Sequence, residues 1–480
     1  MTLNELEKRA SILKDEILNA KDNLSISGKT YFVSNDGCDD NDGLSPSSAW
    51  KSLEKVSSFP LNIGDGVLFR RGDIFRGIVF CRSGVSYGAY GNGDKPKIYG
   101  YKNLCYDGAW ELVDKDNNIY RLCEKILDVG ALVFNDGEFH TRKLIPSFIG
   151  GKFVLRDNPQ VYFSLQNEMT RDLDLYWHYD KIIAPKTVPV IDDNALGELY
   201  LRCDKGNPSA VFNSIEPLIK RHGFAAWNCD DVTIDNICVK YVGAHGIGAG
   251  GACVKNLTVR NCEFGWIGGT IQNYQGDDPN CPATKKGMVT RYGNAVEIYG
   301  GCENFIVENN YVYQVYDAGL THQVNTNGNE LFANKVVYRN NLVEYCTYSI
   351  EYFWNLTGGD TVSKMTDILI ENNILRLCGY GWGAQRYNTY TPAHIKSWDH
   401  NNNAEGVIIR NNIFDRGTPR LIHTCSYSAS SVPTLIGNTY IQTEGVALGK
   451  VGLSSDTNEL PFTTAEINAV DKSAKIILIK

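Results

Sequence analysis

Six short segments after Gly223 repeat one pattern: VTIDNICV, LTVRNCEF, FIVENNYV, VVYRNNLV, ILIENNIL and VIIRNNIF. Each is an apolar, β-branched alternation, then one or two asparagines, then a second short apolar run. The asparagines are Asn236, Asn261, Asn309/Asn310, Asn340/Asn341, Asn372/Asn373 and Asn411/Asn412, with Asn438 as a last member. Successive copies lie about 25 to about 50 residues apart, so the unit is constant while its loops vary. A fixed unit with variable insertions is the signature of a solenoid. One coil cannot bury its own apolar face, but stacked neighbours can. Asparagine tolerates the left-handed backbone turn, and amides in register can hydrogen-bond from coil to coil. The predicted fold is therefore all-β: a right-handed parallel β-helix. Cys346 and Cys378 fall at equivalent places in their repeats and are predicted to form an inward column of small side chains.

The chain has 480 residues, too many for one ordinary core but natural for a fold that grows along one axis. Its 46 glycines and 27 tyrosines fit tight turns and aromatic surface. The net charge of −8 argues against nucleic acid and polyanionic partners. No stretch approaches the roughly 20 apolar residues of a membrane span. Residues 1–24 are rich in Glu, Lys and Asp and carry no secretory pattern, and the 14 cysteines show neither CxxC nor zinc spacing. The expectation is a cytoplasmic protein with reduced thiols, no cofactor and no bound metal.

Five regions are expected. Residues 1–28 hold an amphipathic helix, with Leu3, Leu6, Ala10, Leu13 and Ile17 on one face. It is too short for a strong coiled coil and is read as packed on the body, so monomer and homo-oligomer both stay open. Residues 29–103 form an N-terminal cap and first coils, with strands at 30–33, 66–70, 77–81, 85–90 and 96–99 and a helix at 49–57. The dense run Asp36, Gly37, Asp39, Asp40, Asn41, Asp42, Gly43 is read as a turn, because it lacks the closing glutamate of a calcium loop. Residues 104–217 lack the repeat and are read as an inserted β-sandwich-like subdomain, with strands near 131–135, 152–155, 160–164 and 197–202. Residues 218–445 are the main β-helix, and 446–480 a cap over its open end.

The opening YFVSNDGCDDNDGLSPSSAWKSLEKV, then GDGVLFRRGDIFRG and YGAYGNGDKPKIYG, resembles the entry coil and capping helix of bacterial proteins of the pectate-lyase-like superfamily. LVFNDGEFHTRK, YGNAVEIYGG and VYDAGLTHQ resemble its glycoside hydrolases, in particular β-helical β-xylosidases and lacto-N-biosidases that carry an inserted sandwich. The resemblance implies hydrolysis of oligosaccharides, and a catalytic pair of acids on nearby coils. It also implies that His140 and Arg142, in the insert, lean over the groove.

The alternation itself locates candidate chemistry. With Val296, Ile298, Leu320 and Ile350 inward, Gly248, Glu297, Thr321 and Glu351 face outward, and Asp317 lies in the turn before the third of these strands. Three acids thus gather on consecutive coils. Glycoside hydrolysis needs two, one to protonate the leaving oxygen and one to attack the sugar or activate water. The candidate catalytic set is Asp317 with Glu297 or Glu351. Candidate sugar-binding residues are the aromatics Trp266, Tyr299, Tyr352 and Trp354, and the polar His245, His322, Gln323, Gln385 and Arg386, beside His140 and Arg142. The segment 272–291 is long enough to wall the cleft.

The expected function is an exo-acting glycoside hydrolase working on oligosaccharides. A polysaccharide lyase is the first alternative, with Lys240, Arg291, Arg339 or Arg386 as base and the acids as calcium ligands. A non-catalytic carbohydrate-binding β-helix is the second.

Overall fold

A computed structural model describes residues 2–149, 152–155, 160–179, 193–274, 287–386, 391–401, 403–453, 459–460 and 463–480. The chain winds into a parallel β-helix whose coils present three faces. The first face carries the starts of Ile247–Lys255 and Val296–Glu308, then Ala318–Asn325, Tyr348–Asn355, Ala393–Asn401, Ile422–Ser426 and Gly449–Leu453, all paired in parallel. The second carries Thr258–Arg260, the end of Val296–Glu308, Phe332–Arg339, Lys364–Glu371, Val407–Arg410 and Thr434–Ile436. The third runs from Cys238–Val242 through Tyr311–Val315 and Ile374–Cys378 to Lys475–Ile479. Every coil sends Val, Ile, Leu or Phe inward to one continuous core, and Cys346 and Cys378 lie in it.

The asparagines do two jobs at two adjacent positions. The first of each pair, Asn309, Asn340, Asn372 and Asn411, takes a left-handed backbone with φ between 55° and 56°. The second is buried and forms a ladder along the axis. The Nδ2 of Asn310 donates to Oδ1 of Asn341 at 3.1 Å, Asn341 to Asn373 at 3.0 Å, Asn373 to Asn412 at 2.9 Å and Asn412 to Asn438 at 3.1 Å. Each Oδ1 also accepts the backbone N–H of the preceding rung. Asp471 ends the ladder, accepting from the backbone and the amide of Asn438. Cys262 occupies the rung below Asn310 and donates its N–H to it.

The N-terminal helix, Leu3–Leu18, starts with a capping box between Thr2 and Glu5. Its Leu6, Ala10 and Ile17 pack on Tyr311, Leu342, Ile374 and Ile413, which directly follow the ladder asparagines, and on Ile441 of the same face. The helix is thus a cover for one outer face. No helix of the described residues is long and apolar enough to cross a membrane.

Four expectations need correction. The helix expected at 49–57 is Leu53–Ser58, because the Ser52 hydroxyl caps it by accepting Lys55 N–H at 3.0 Å, while Trp50 is extended and bridges Val33. Residues 160–164 form one isolated bridge, Val154 to Tyr162, and no strand. Among the described residues the insert holds a five-stranded sheet, Trp110–Asp114, Ile119–Leu122, Arg142–Lys143, Asp174–His178 and Glu198–Arg202, and a two-stranded one, Ser147–Ile149 with Lys152–Val154. It packs against Val129–Phe134 and Ile215–Ile219, which pair into the third face, so the second layer of the expected sandwich is the β-helix's own sheet. The helix also does not stop at residue 445: Gly449–Leu453 and Lys475–Ile479 add parallel strands. The cap is the short helix Thr464–Val470, whose Ile467 is buried in the core. In the Asp-rich turn, Asp39 accepts the N–H groups of Lys51 and Ser52 and Asp42 accepts the Ser48 hydroxyl, so these carboxylates close the turn.

The ladder yields a stability prediction. Asn373→Ala removes the acceptor of the Asn341 amide and backbone N–H inside a dry core, and should lower the unfolding free energy by about 2–4 kcal/mol. Asn372→Gly, at a left-handed position that glycine adopts freely, should change it by less than about 1 kcal/mol. Denaturant unfolding of the two variants checks the contrast.

Candidate active site

The first face aligns the acids by strand register. Gly248 pairs with Glu297, Glu297 with Thr321 and Thr321 with Glu351, so Glu297 and Glu351 stand two coils apart, about 9.6 Å at the backbone. Asp317 lies at the corner entering the coil between them. Its N–H donates to Gly293 on the coil before, and its carbonyl accepts from Tyr348 on the coil after. The outward column continues past Glu351 to Lys396 and His423.

All three carboxyls are at least nine-tenths buried. Each has a different company. Asp317 is paired with the Arg386 guanidinium, which also lies 5.5 Å from the centre of the Tyr348 ring. Glu351 accepts the indole N–H of Trp398 at 2.5 Å. Glu297 accepts from the side-chain amides of Asn294 and, at 3.4 Å, Gln323, and faces Nδ1 of His245 at 3.3 Å. Asn294 is held in turn by donation from Ala318 N–H to its Oδ1.

Electrostatics separates these acids. Burial pushes all three upward from the ordinary carboxyl range. The Arg386 charge opposes that push at Asp317 and, more weakly, at Glu351. Glu297 has burial first, then the neighbouring charges of Glu351 and Asp317, and rises to about 8. The amides of Asn294 and Gln323, which donate to Oε2, oppose that rise. The Asn294 backbone N–H donates to Nδ1 of His245 at 3.1 Å, which makes that nitrogen an acceptor. Burial and the stacked His222 ring, 5.1 Å away, keep His245 far below the usual histidine range and neutral. Burial thus favours the proton-bearing form of Glu297, while the ion pair with Arg386 favours the ionised form of Asp317.

The remaining candidates divide by the same alternation. Tyr299 and Gln323 face outward on adjacent rungs, and Tyr299 is 36% exposed. Gln385 and Arg386 stand at the seam with the insert: Gln385 Nε2 donates to Thr141 O at 2.9 Å and lies 3.5 Å from His140 Nδ1. His245 is in the site, as described. Five expected sugar contacts lie elsewhere. His322, Tyr352 and Trp354 point into the core, because inward Leu320 and Ile350 set every second residue inward as well. The His322 ring stacks on Tyr352 and bonds Tyr338. Trp266 is buried between β-helix and insert with Tyr99, Leu218 and Tyr316. Arg142 makes two 2.7 Å bonds to Asp174 inside the insert, away from the acids. Of the segment 272–291, Thr270–Tyr274 and Val289–Tyr292 form an antiparallel hairpin, and residues 275–286 lie outside the described residues.

Asn294 is the functional residue that sequence reasoning missed. Its signal was its place three residues before Glu297, at the corner, where a side chain turns back onto its own strand. Lys396 and His423 were missed although each follows an inward isoleucine, as Glu351 does.

No family model matches the chain, and no curated protein matches it. Among solved structures it is similar to XylC in complex with xylose, at 11% identity and a TM-score of 0.42, over 94% of this chain and 82% of that one. It is similar to the GH136 lacto-N-biosidase of Eubacterium ramulus at 13% identity and a TM-score of 0.38, over 94% and 68%. It is also similar to the family 28 exopolygalacturonase of Yersinia enterocolitica at 11% identity and a TM-score of 0.34, over 94% and 78%.

The buried acid predicts a pH-dependent stability cost. Between the unfolded value of about 4.3 and the folded value of about 8, folded Glu297 keeps a proton that the unfolded chain has released. Its contribution is therefore full below about pH 4.3 and is lost as pH rises to about 8. Glu297→Gln should be close to the unaltered chain in stability at pH 4.5 and more stable by about 2–4 kcal/mol at pH 8. Unfolding at both pH values checks this without any substrate.

Proposed function

We propose that the chain is a glycoside hydrolase acting on oligosaccharides. The observation that carries this reading is a set of three buried acids on adjacent coils in unlike surroundings: Asp317 paired with arginine, Glu297 held by two amides and Glu351 by an indole. In this reading Glu297 is the general acid, delivering its proton to the leaving glycosidic oxygen. Asp317, kept ionised by Arg386, attacks the anomeric carbon or takes the proton from an attacking water. Glu351, held by Trp398, lends negative charge that keeps Glu297 protonated and supports the oxocarbenium-like transition state. The lyase alternative is weakened because Lys240 is paired with Asp136 and Arg339 with Glu308, while Arg291 is spent on the carbonyls of Gly269 and Gly130.

A panel of nitrophenyl glycosides and neutral oligosaccharides tests the reading. Turnover should appear with at least one, and Asp317→Asn and Glu297→Gln should each lower kcat/KM by about 100-fold or more. Unchanged turnover in both variants would remove the site assignment. An unsaturated, ultraviolet-absorbing product would instead identify a lyase.

The pH profile tests the role of Glu351. Activity should fall on the alkaline side near pH 8, as Glu297 loses its proton. Removing a neighbouring negative charge stabilises the ionised form, so Glu351→Gln should move that limb to lower pH by about one unit. A limb that stays in place would separate Glu351 from the proton on Glu297.

A further inference from the structure

A second outward column runs beside the acids, two residues further along each strand. Trp227 pairs with Gly250, Gly250 with Tyr299, Tyr299 with Gln323 and Gln323 with Phe353. Trp227 is 42% exposed, unusual for the largest apolar side chain in a body with a continuous core. Gly250 explains how it lies. A Cβ there would come within 2.6 Å of Cζ3 of the Trp227 ring, so only glycine lets the indole settle over the neighbouring coil. His222, 6.2 Å from Trp227 between ring centres, leans over Gly248 in the same way, where a Cβ would meet its Nδ1 at 2.9 Å. The second coil thus has no side chains of its own on this face. Its Gly248 and Gly250 are buried beneath the His222 and Trp227 rings, so those rings make the surface here, with Tyr299 and Glu297 on the next coil.

We infer that Trp227 and Tyr299 form a distal sugar subsite, through which the groove binds a neutral pyranose chain laid along the β-helix axis. The inference rests on the hydrolase reading and names its substrate class. Trp227 and Tyr299 stand two coils apart, about 9.6 Å, a span that holds linked pyranose rings. Aromatic faces stack on the C–H faces of such rings, and few polar groups are needed to orient them. The outward residues of the first column on these coils, Ala225 and Gly248, are uncharged, and the His222 ring lies over Gly248. An anionic sugar would lie next to three acids. A neutral one stacks on Trp227 and Tyr299 and reaches the acids at the third coil.

The test is calorimetric titration of the Glu297→Gln protein with neutral oligosaccharides of one to five units, so that binding is read without turnover. Affinity should rise with chain length, and Trp227→Ala in that background should erase most of the rise, weakening the longest ligand by roughly tenfold. Trp227→Phe should retain part of it, and an unchanged melting temperature should show that this exposed side chain is dispensable for folding. Length-dependent affinity that survives Trp227→Ala would overturn the subsite. Trp227-dependent binding by a chain that turns nothing over would support the subsite while removing the hydrolase reading.

Discussion

The asparagine ladder is the constraint on which the other features depend. Each buried amide uses its Oδ1 to accept from the previous rung and its Nδ2 to donate to the next one and to a carbonyl, as Asn373 does with Asn341, Asn412 and Tyr338. A slip of one residue in any coil would strand these groups in a dry core and turn every inward side chain outward. Apolar packing alone is less demanding, since Val, Ile and Leu substitute for one another with modest loss. Hydrophobicity builds the stack, and the amides fix its register.

That register is also what makes the acid cluster tolerable. Glu297 and Glu351 are kept two coils apart with the uncharged Thr321 between them, so their repulsion is felt but not at contact. Asp317 enters from the corner with its own cation. The molecule bears the cost of one buried proton-bearing glutamate and one buried ion pair, both in the same few coils. Desolvated groups that would be a defect in a purely structural solenoid are the pattern expected where acid and base must coexist near neutral pH.

Much of this was legible before the fold was seen, and the limits have physical causes. Period-two alternation assigned Glu297, Thr321 and Glu351 to one outward column, because the inward Val296, Leu320 and Ile350 leave no other choice. The same alternation places His322 and Tyr352 inward, and their polar atoms had suggested the groove only when composition was allowed to outweigh period. Trp266 could not be assigned from sequence. Its surroundings come from Tyr99, Leu218 and Tyr316, residues far apart in the chain that the insert brings together. The insert was legible as β-rich and sandwich-like, but that its second layer is borrowed from the third face was not, because no local pattern announces such borrowing.

The seam between insert and β-helix decides how ligand reaches the acids. It contains the ion pair of Lys143 with Asp128, each 1% exposed at the side chain, and Asp128 also takes the Ile271 N–H at 2.5 Å. Gln385 then ties the β-helix to the Thr141 carbonyl and the Lys143 N–H of the insert. Separating these surfaces would leave the buried Asp128 carboxylate without the Ile271 N–H. The insert is therefore tied beside the acids by the hydrogen bonds of Asp128 and Gln385. With that side held, the exposed rings of Trp227 and Tyr299 lie two coils apart in the outward column beside Glu297, so the proposed approach runs along the axis.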